Sequence, residues 1–110
     1  MKKNNFIINS ERAKKINSIF KKEKINLSHI IVLSEILLRK INNEQLPNVK
    51  WVQSELEISF TKLKAILDFL ENNQYIIKTN DSNDKRVKFL EITKKGEQFI
   101  VNIFGVLPLN

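Results

Sequence analysis

Residues 75–92 read Tyr75-Ile76-Ile77-Lys78-Thr79, then Asn80-Asp81-Ser82-Asn83-Asp84, then Lys85-Arg86-Val87-Lys88-Phe89-Leu90-Glu91-Ile92. Two runs rich in β-branched and aromatic residues flank five consecutive small polar ones, which is the pattern of a β-hairpin with a protruding tip. Upstream, Leu63, Ile66, Leu67 and Leu70 recur at helical spacing behind Ser59, so the sequence predicts a helix from Phe60 to about Asn73 capped by Ser59. A shorter helix from about Lys50 to Glu57 precedes it, with Val52 and Leu56 one turn apart. Glu57-Ile58-Ser59 makes the corner between the two. Downstream, Thr93 caps a last helix from Lys94 to about Phe104.

The first half of the chain is helical on the same grounds. Ser10 is a plausible cap for a helix running to about Lys22, with Ala13, Ile16, Ile19 and Phe20 on one side and Lys and Arg on the other. Ser28 is the next cap. From His29 to about Ile41 the chain is dense in Ile, Val and Leu on most sides, the mark of a helix buried centrally in the domain. His29 sits in its first turn and reads as a partly exposed first-turn residue or a core-edge histidine rather than a ligand. Asn42 to Gln45 form a turn, and Leu46-Pro47-Asn48-Val49 is short and extended, because residues around Pro resist helix.

Composition sets bounds on function. The length of 110 residues is that of one domain, 1–110, and two Gly and two Pro leave little room for linkers. With no Cys there is no disulfide, thiolate metal site or thiol sensor, and the single His29 cannot build a metal site alone. No apolar run approaches a membrane span, and the basic start Met1-Lys2-Lys3 is followed by too short an apolar stretch for a signal peptide. A cytoplasmic protein without membrane association is expected. No nucleophile–base pair, metal cluster or phosphate-binding Gly loop appears, so no enzyme, metal or cofactor is expected. The net charge of +7 favours anionic partners. Its excess is uneven: residues 1–24 carry eight Lys/Arg against two Glu. Taken alone, such a run reads as a solvated helix face.

The order helix, helix, basic hairpin, helix is that of a winged helix-turn-helix. The expected fold is therefore α+β and mostly helical, with the helix-turn-helix at 50–73 and a two- or three-stranded antiparallel wing at 75–92. A helix enters the major groove only if one face packs on its domain and the other carries short polar or basic groups. The helix from Phe60 offers Thr61, Lys62, Lys64 and Ala65 on that second face, behind the Ser59 cap. Asp68 on the same face is repelled by phosphates and argues against sinking the whole helix. The wing adds Lys78, Lys85, Arg86 and Lys88. Arg is the residue suited to a narrow minor groove, and a nearby carboxylate such as Asp84 can hold it in one orientation.

Residues 46–100 resemble the DNA-binding lobe of MarR-type winged helix regulators, and especially their small SarA-like relatives. The motifs carrying the resemblance are Asp84-Lys85-Arg86 and Leu90-Glu91-Ile92-Thr93-Lys94-Lys95-Gly96. The resemblance implies that Arg86 is the minor-groove residue, that Asp84 orients it, and that Thr61, Lys62, Lys64 and Ala65 face the major groove. The chain departs from the family pattern at Glu57 and Gln74, where Gly is usual.

The apolar residues Ile16, Ile19 and Phe20 of segment 10–22, and Phe99, Ile103, Phe104 and Leu107 of segment 97–110, exceed what a small domain easily hides. They are expected to form a homodimer interface. The alternative is that the two segments pack on each other within one chain. The expected function is thus a homodimeric transcriptional regulator reading double-stranded DNA by sequence. No polar constellation for a small-molecule effector is evident. Two further readings share the fold: a winged helix of plasmid or phage replication, partition or mobile-element maintenance, and a winged helix that docks a protein. Asn, Ile and Lys, all with A/T-rich codons, are frequent enough to suit a low-GC bacterium or a mobile element.

Overall fold

The structure is a computed structural model that describes residues 3–106, with side chains described for 9–105. Helices α1 (Lys3–Glu23), α2 (Leu27–Ile41), α3 (Val49–Leu56) and α4 (Phe60–Asn72) precede strands β1 (Ile76–Asn80) and β2 (Lys88–Ile92), and α5 (Lys94–Val106) follows. This is the expected α+β arrangement: helices around a small antiparallel sheet.

Helix α2 is the hub. Val32, Leu33 and Ile36 are fully buried and join Leu63, Leu67 and Leu70 of α4, Leu90 of β2 and Ile100 of α5 in one core. Burying side chains of this size stabilises by roughly 1.5–3 kcal/mol each before chain entropy is counted. Burial on all sides is not found, however. Leu27, Ile31, Leu38 and Ile41 are exposed on the face of α2 away from that core. The apolar sequence of α2 is wider than the surface its neighbours can cover.

Two helix starts differ from expectation. Helix α1 already runs from Lys3, so Ser10 lies inside it and caps nothing. Asn26, not Ser28, caps α2: Asn26 Oδ1 accepts from Ser28 N–H at 2.9 Å, and the His29 ring reaches back to complete a capping box. The Asn26 backbone N–H must donate, so His29 Nδ1 accepts at 3.1 Å and the ring proton sits on Nε2. The same ring stands edge-on to Phe69 of α4, with centroids 5.0 Å apart. Of the two placements expected, His29 takes that of a core-edge histidine, with a structural task as well.

Pairing runs from Ile76 opposite Ile92 to Asn80 opposite Lys88. A third strand is reduced to one bridge between Asn48 and Phe89, beside the bond from Leu90 N–H to the Pro47 carbonyl at 2.8 Å. Pro47 has no N–H to continue the ladder, which is why the extension stops there. At the base of the sheet, Thr93 N–H donates to the Tyr75 carbonyl at 3.0 Å, and Thr93 Oγ1 accepts from Gly96 N–H at 3.0 Å. A Cβ on Gly96 would collide with the Tyr75 carbonyl oxygen and come within 2.8 Å of Ile92 Cγ1.

Helix α1 lies against α5, and Ile16 and Ile103 are buried within the chain. Ile19, Phe20 and Phe99 are half-buried against the core. The two segments thus pack on each other, and Ile16 and Ile103 are not part of a free surface. Phe104 and Val101 remain exposed on α5, and Leu107 lies outside the described residues. Lys40 of α2 pins α5 through Glu97 Oε1 at 2.6 Å.

Glu57 (φ 52°) and Gln74 (φ 64°) occupy the left-handed region. These are the two positions where the resemblance made Gly usual. The backbone conformation is kept, and an L side chain carries roughly 1–2 kcal/mol of strain there. Replacing either residue by Gly should raise the thermal midpoint by a few degrees, whereas Gly96→Ala should cost about 1–3 kcal/mol and lower it, as melting curves will show. Burial holds the His29 imidazole below its ordinary pKa. The folded state therefore takes up a proton less readily than the unfolded chain. Its contribution is complete above about pH 6.5 and is lost as pH falls from there towards the lowered value. Melts at pH 7.5 and 5.5 should show a drop that His29→Asn abolishes.

Candidate nucleic-acid interface

Ser59 begins the candidate reading helix. Its Oγ accepts from Lys62 N–H at 3.1 Å and caps the first turn of α4, where Phe60, Thr61 and Lys62 are exposed. Thr61, Lys62, Lys64 and Ala65 are all exposed, while Leu63, Ile66, Leu67 and Leu70 are buried. One face packs and the opposite face is presented, with small Ala65 at its centre.

The hairpin tip is shaped by its own acids. Asp81 Oδ1 accepts from Asn83 N–H at 2.7 Å, and Asp84 Oδ1 accepts from Arg86 N–H at 3.0 Å. The Asp84 carboxylate also takes Arg86 Nε at 3.1 Å and a terminal guanidinium nitrogen at 3.3 Å, a two-pronged hold. The Arg86 side chain is still 91% exposed. Asp84 thus orients an extended cation without covering it. The side-chain bonds from Arg86, then its backbone N–H, hold the Asp84 carboxyl below its ordinary value. Lys85 and Lys88 are exposed beside it, and Lys88 Nζ donates to Asn80 Oδ1 at 3.1 Å.

A groove of about 460 Å³ separates the start of α3 and α4 from the wing. Lys50, Lys64, Lys78, Arg86 and Lys88 line it over an apolar floor of Val49, Phe60, Leu67 and Val87, and no carboxylate is among its walls. Sequence reasoning placed Lys64, Lys78, Arg86 and Lys88 at the interface but not the other lining residues, Phe60, Lys50 and Gln53 among them. Phe60 sits three and seven positions before Leu63 and Leu67, which is core spacing, yet it lies beyond the end of the core and is 55% exposed. Lys50 and Gln53 of α3 carried no signal beyond their charge and polarity.

Lys78 is placed differently from the other wing lysines. Its side chain is only 18% exposed, and Nζ bonds Asp68 Oδ1 at 3.1 Å with Glu71 Oε1 at 3.6 Å. It is a strut from β1 to α4, and its charge is already shared by two carboxylates. Arg39 performs a similar task elsewhere, stacking at 3.8 Å over Trp51 and donating to the Gln45 carbonyl at 3.0 Å, so that α3 is fixed to α2. Among the described residues there is no group of His, Asp or Glu that could hold a metal ion, and no helix long and apolar enough to cross a membrane.

No protein-family model and no curated protein sequence matches the chain. Solved structures do. Staphylococcus aureus MepR in complex with DNA superposes with a TM-score of 0.78 at 16% identity, covering 91% of this chain and 78% of MepR. A mutant of Escherichia coli MarR, complexed with operator DNA, gives 0.68 at 17% identity over 92% of this chain and 69% of MarR. The transcriptional regulator Tm0710 from Thermotoga maritima gives 0.69 at 23% identity over 91% and 64%. The chain has the MarR-type winged-helix fold. It spans between about two thirds and four fifths of the length of these proteins.

The geometry separates two kinds of lysine. Lys62→Ala should weaken duplex binding and flatten the dependence of log affinity on log salt by about 0.9, the value for one lost phosphate contact. Lys78→Ala should lower the thermal midpoint by several degrees and leave that slope unchanged, as paired melting and binding titrations will show.

Proposed function

We propose that this chain is a transcriptional regulator that reads double-stranded DNA by sequence as a homodimer, with α4 in the major groove and the wing in the minor groove. The observation that carries this reading is the Arg86–Asp84 pair. A guanidinium held by two hydrogen bonds yet 91% exposed has been oriented for something outside the protein. A narrow A/T-rich minor groove, where negative potential concentrates, suits it. Thr61 and Ala65 can touch base edges, Lys62 and Ser59 can reach phosphates, and Lys85 and Lys88 flank the guanidinium. MepR and MarR, which share the fold, are each seen with DNA, and this supports the reading.

Two copies are needed to present two α4 helices about one DNA turn, roughly 34 Å, apart. The exposed Val101 and Phe104 of α5, together with Phe20, Ile19 and Phe99 at the α1–α5 seam, supply the apolar surface for that contact. Chemistry on a substrate forms no part of this function.

Selection of bound duplexes from a random pool at physiological salt should enrich a pseudo-palindrome with half-sites one turn apart. Arg86→Ala should lose affinity most for sites with A/T-rich flanks. Recovery of no motif, or wild-type binding by Arg86→Ala, would sink this reading and favour a protein partner for the same fold. Light scattering at micromolar concentration should give twice the monomer mass.

A further inference from the structure

Asp68 stands one helical turn after Lys64 on the exposed face of α4, and both of its oxygens are engaged. Oδ2 takes Lys64 Nζ at 2.9 Å and Oδ1 takes Lys78 Nζ at 3.1 Å. With Glu71 on Lys78, the cluster has two ammonium groups and two carboxylates and is electrically neutral. Three of the five cations lining the groove are therefore already answered by the protein's own acids: Arg86 by Asp84, and Lys64 and Lys78 by this cluster.

The two ammonium groups are held very differently. Lys78 is largely buried and has two acid partners, so it stays. Lys64 is 61% exposed and held by an i,i+4 pair, an interaction of only a few tenths of a kcal/mol. Lys64 can therefore move to a phosphate at little cost. The phosphate it meets is then close to Asp68, which is left with Lys78 alone. On an arbitrary duplex the exchange gains one ion pair, loses another and adds a like-charge repulsion. On a site where Thr61 and Ala65 also fit their bases, the seated helix drives the exchange.

We propose that Asp68 is a specificity-determining residue, whose carboxylate restrains Lys64 from the backbone of unrelated duplexes and so suppresses non-specific binding more than specific binding. This inference rests on the DNA-reading function above. It assigns to Asp68 the repulsive half of discrimination, which needs penalties against wrong partners as well as contacts with the right one. The Lys64 bond, followed by the Lys78 bond, holds the Asp68 carboxyl below its ordinary value, so the charge is present throughout the neutral range.

The test compares wild type, Asp68→Asn, Asp68→Asn/Lys64→Ala, Lys64→Ala and Glu71→Gln on two probes across a salt series. One probe is the duplex that wild type enriches from a random pool, and the other is its shuffled sequence. Asp68→Asn should bind the shuffled duplex about 3–10-fold more tightly, with a salt slope steeper by about one contact. Its affinity for the enriched duplex should rise less, so the ratio between probes falls. Adding Lys64→Ala should return the slope to that of Lys64→Ala alone, and Glu71→Gln, which does not touch Lys64, should leave the slope at the wild-type value. An unchanged slope in Asp68→Asn, an unchanged or larger ratio, or a steep slope that survives Lys64→Ala overturns the proposal. A merely structural Asp68 would instead lower both affinities and the thermal midpoint together. If wild type itself enriches no sequence, the DNA-reading function fails with it, and that result is visible before any variant is made.

Discussion

The shape of the interface depends on one close approach, that of Gly96 to the Tyr75 carbonyl. That oxygen already accepts Thr93 N–H, which closes the last rung of the sheet. Thr93 Oγ1 lies 2.7 Å from the Gln74 carbonyl and 3.1 Å from that of Tyr75, and it accepts Gly96 N–H at the start of α5. One hydroxyl thus caps a helix and ties it to the chain entering the wing. The arrangement closes only if the third helical residue has no Cβ. Because β1 leaves α4 through the left-handed Gln74 at this same point, the angle between wing and reading helix is set here. The Lys78 strut then fixes the angle a second time, nearer the groove.

Much of this was legible because it is local. The Ser59 cap, the α4 stripe, the polar hairpin tip and the Thr93 cap are each decided by residues within one or two turns, and each lies where the sequence placed it. The Asp84–Arg86 pair belongs to the same class, since two residues apart in a tight loop are bound to meet. What stayed illegible is decided across space. The role of Lys78 depends on Glu71 and Asp68, seven and ten positions away on a different element. Phe60 obeys the spacing of the core and is exposed only because the core ends below it. The single bridge from Asn48 to Phe89 depends on a contact between segments far apart in the chain. The cap of α2 was misread for a smaller reason: Asn26 and Ser28 are both good caps, and the choice fell to the one whose backbone N–H the His29 ring could satisfy.

The net charge is a poor guide to where the interface lies. The excess of basic over acidic residues is concentrated in residues 1–24, which include α1, and α1 packs against α5. The winged lobe, residues 46–100, carries eight carboxylates against nine Lys/Arg, and two of those carboxylates hold Lys78. Charges more than a Debye length from a phosphate, about 8 Å at physiological salt, steer an approach more than they hold a complex. In the function proposed, holding falls to the few exposed cations beside the groove and on the first turn of α4, and discrimination falls to short side chains such as Thr61 and Ala65. Little net charge on the lobe is consistent with that proposal, because a weak sequence-independent attraction is the condition under which a few base contacts can decide where a protein binds.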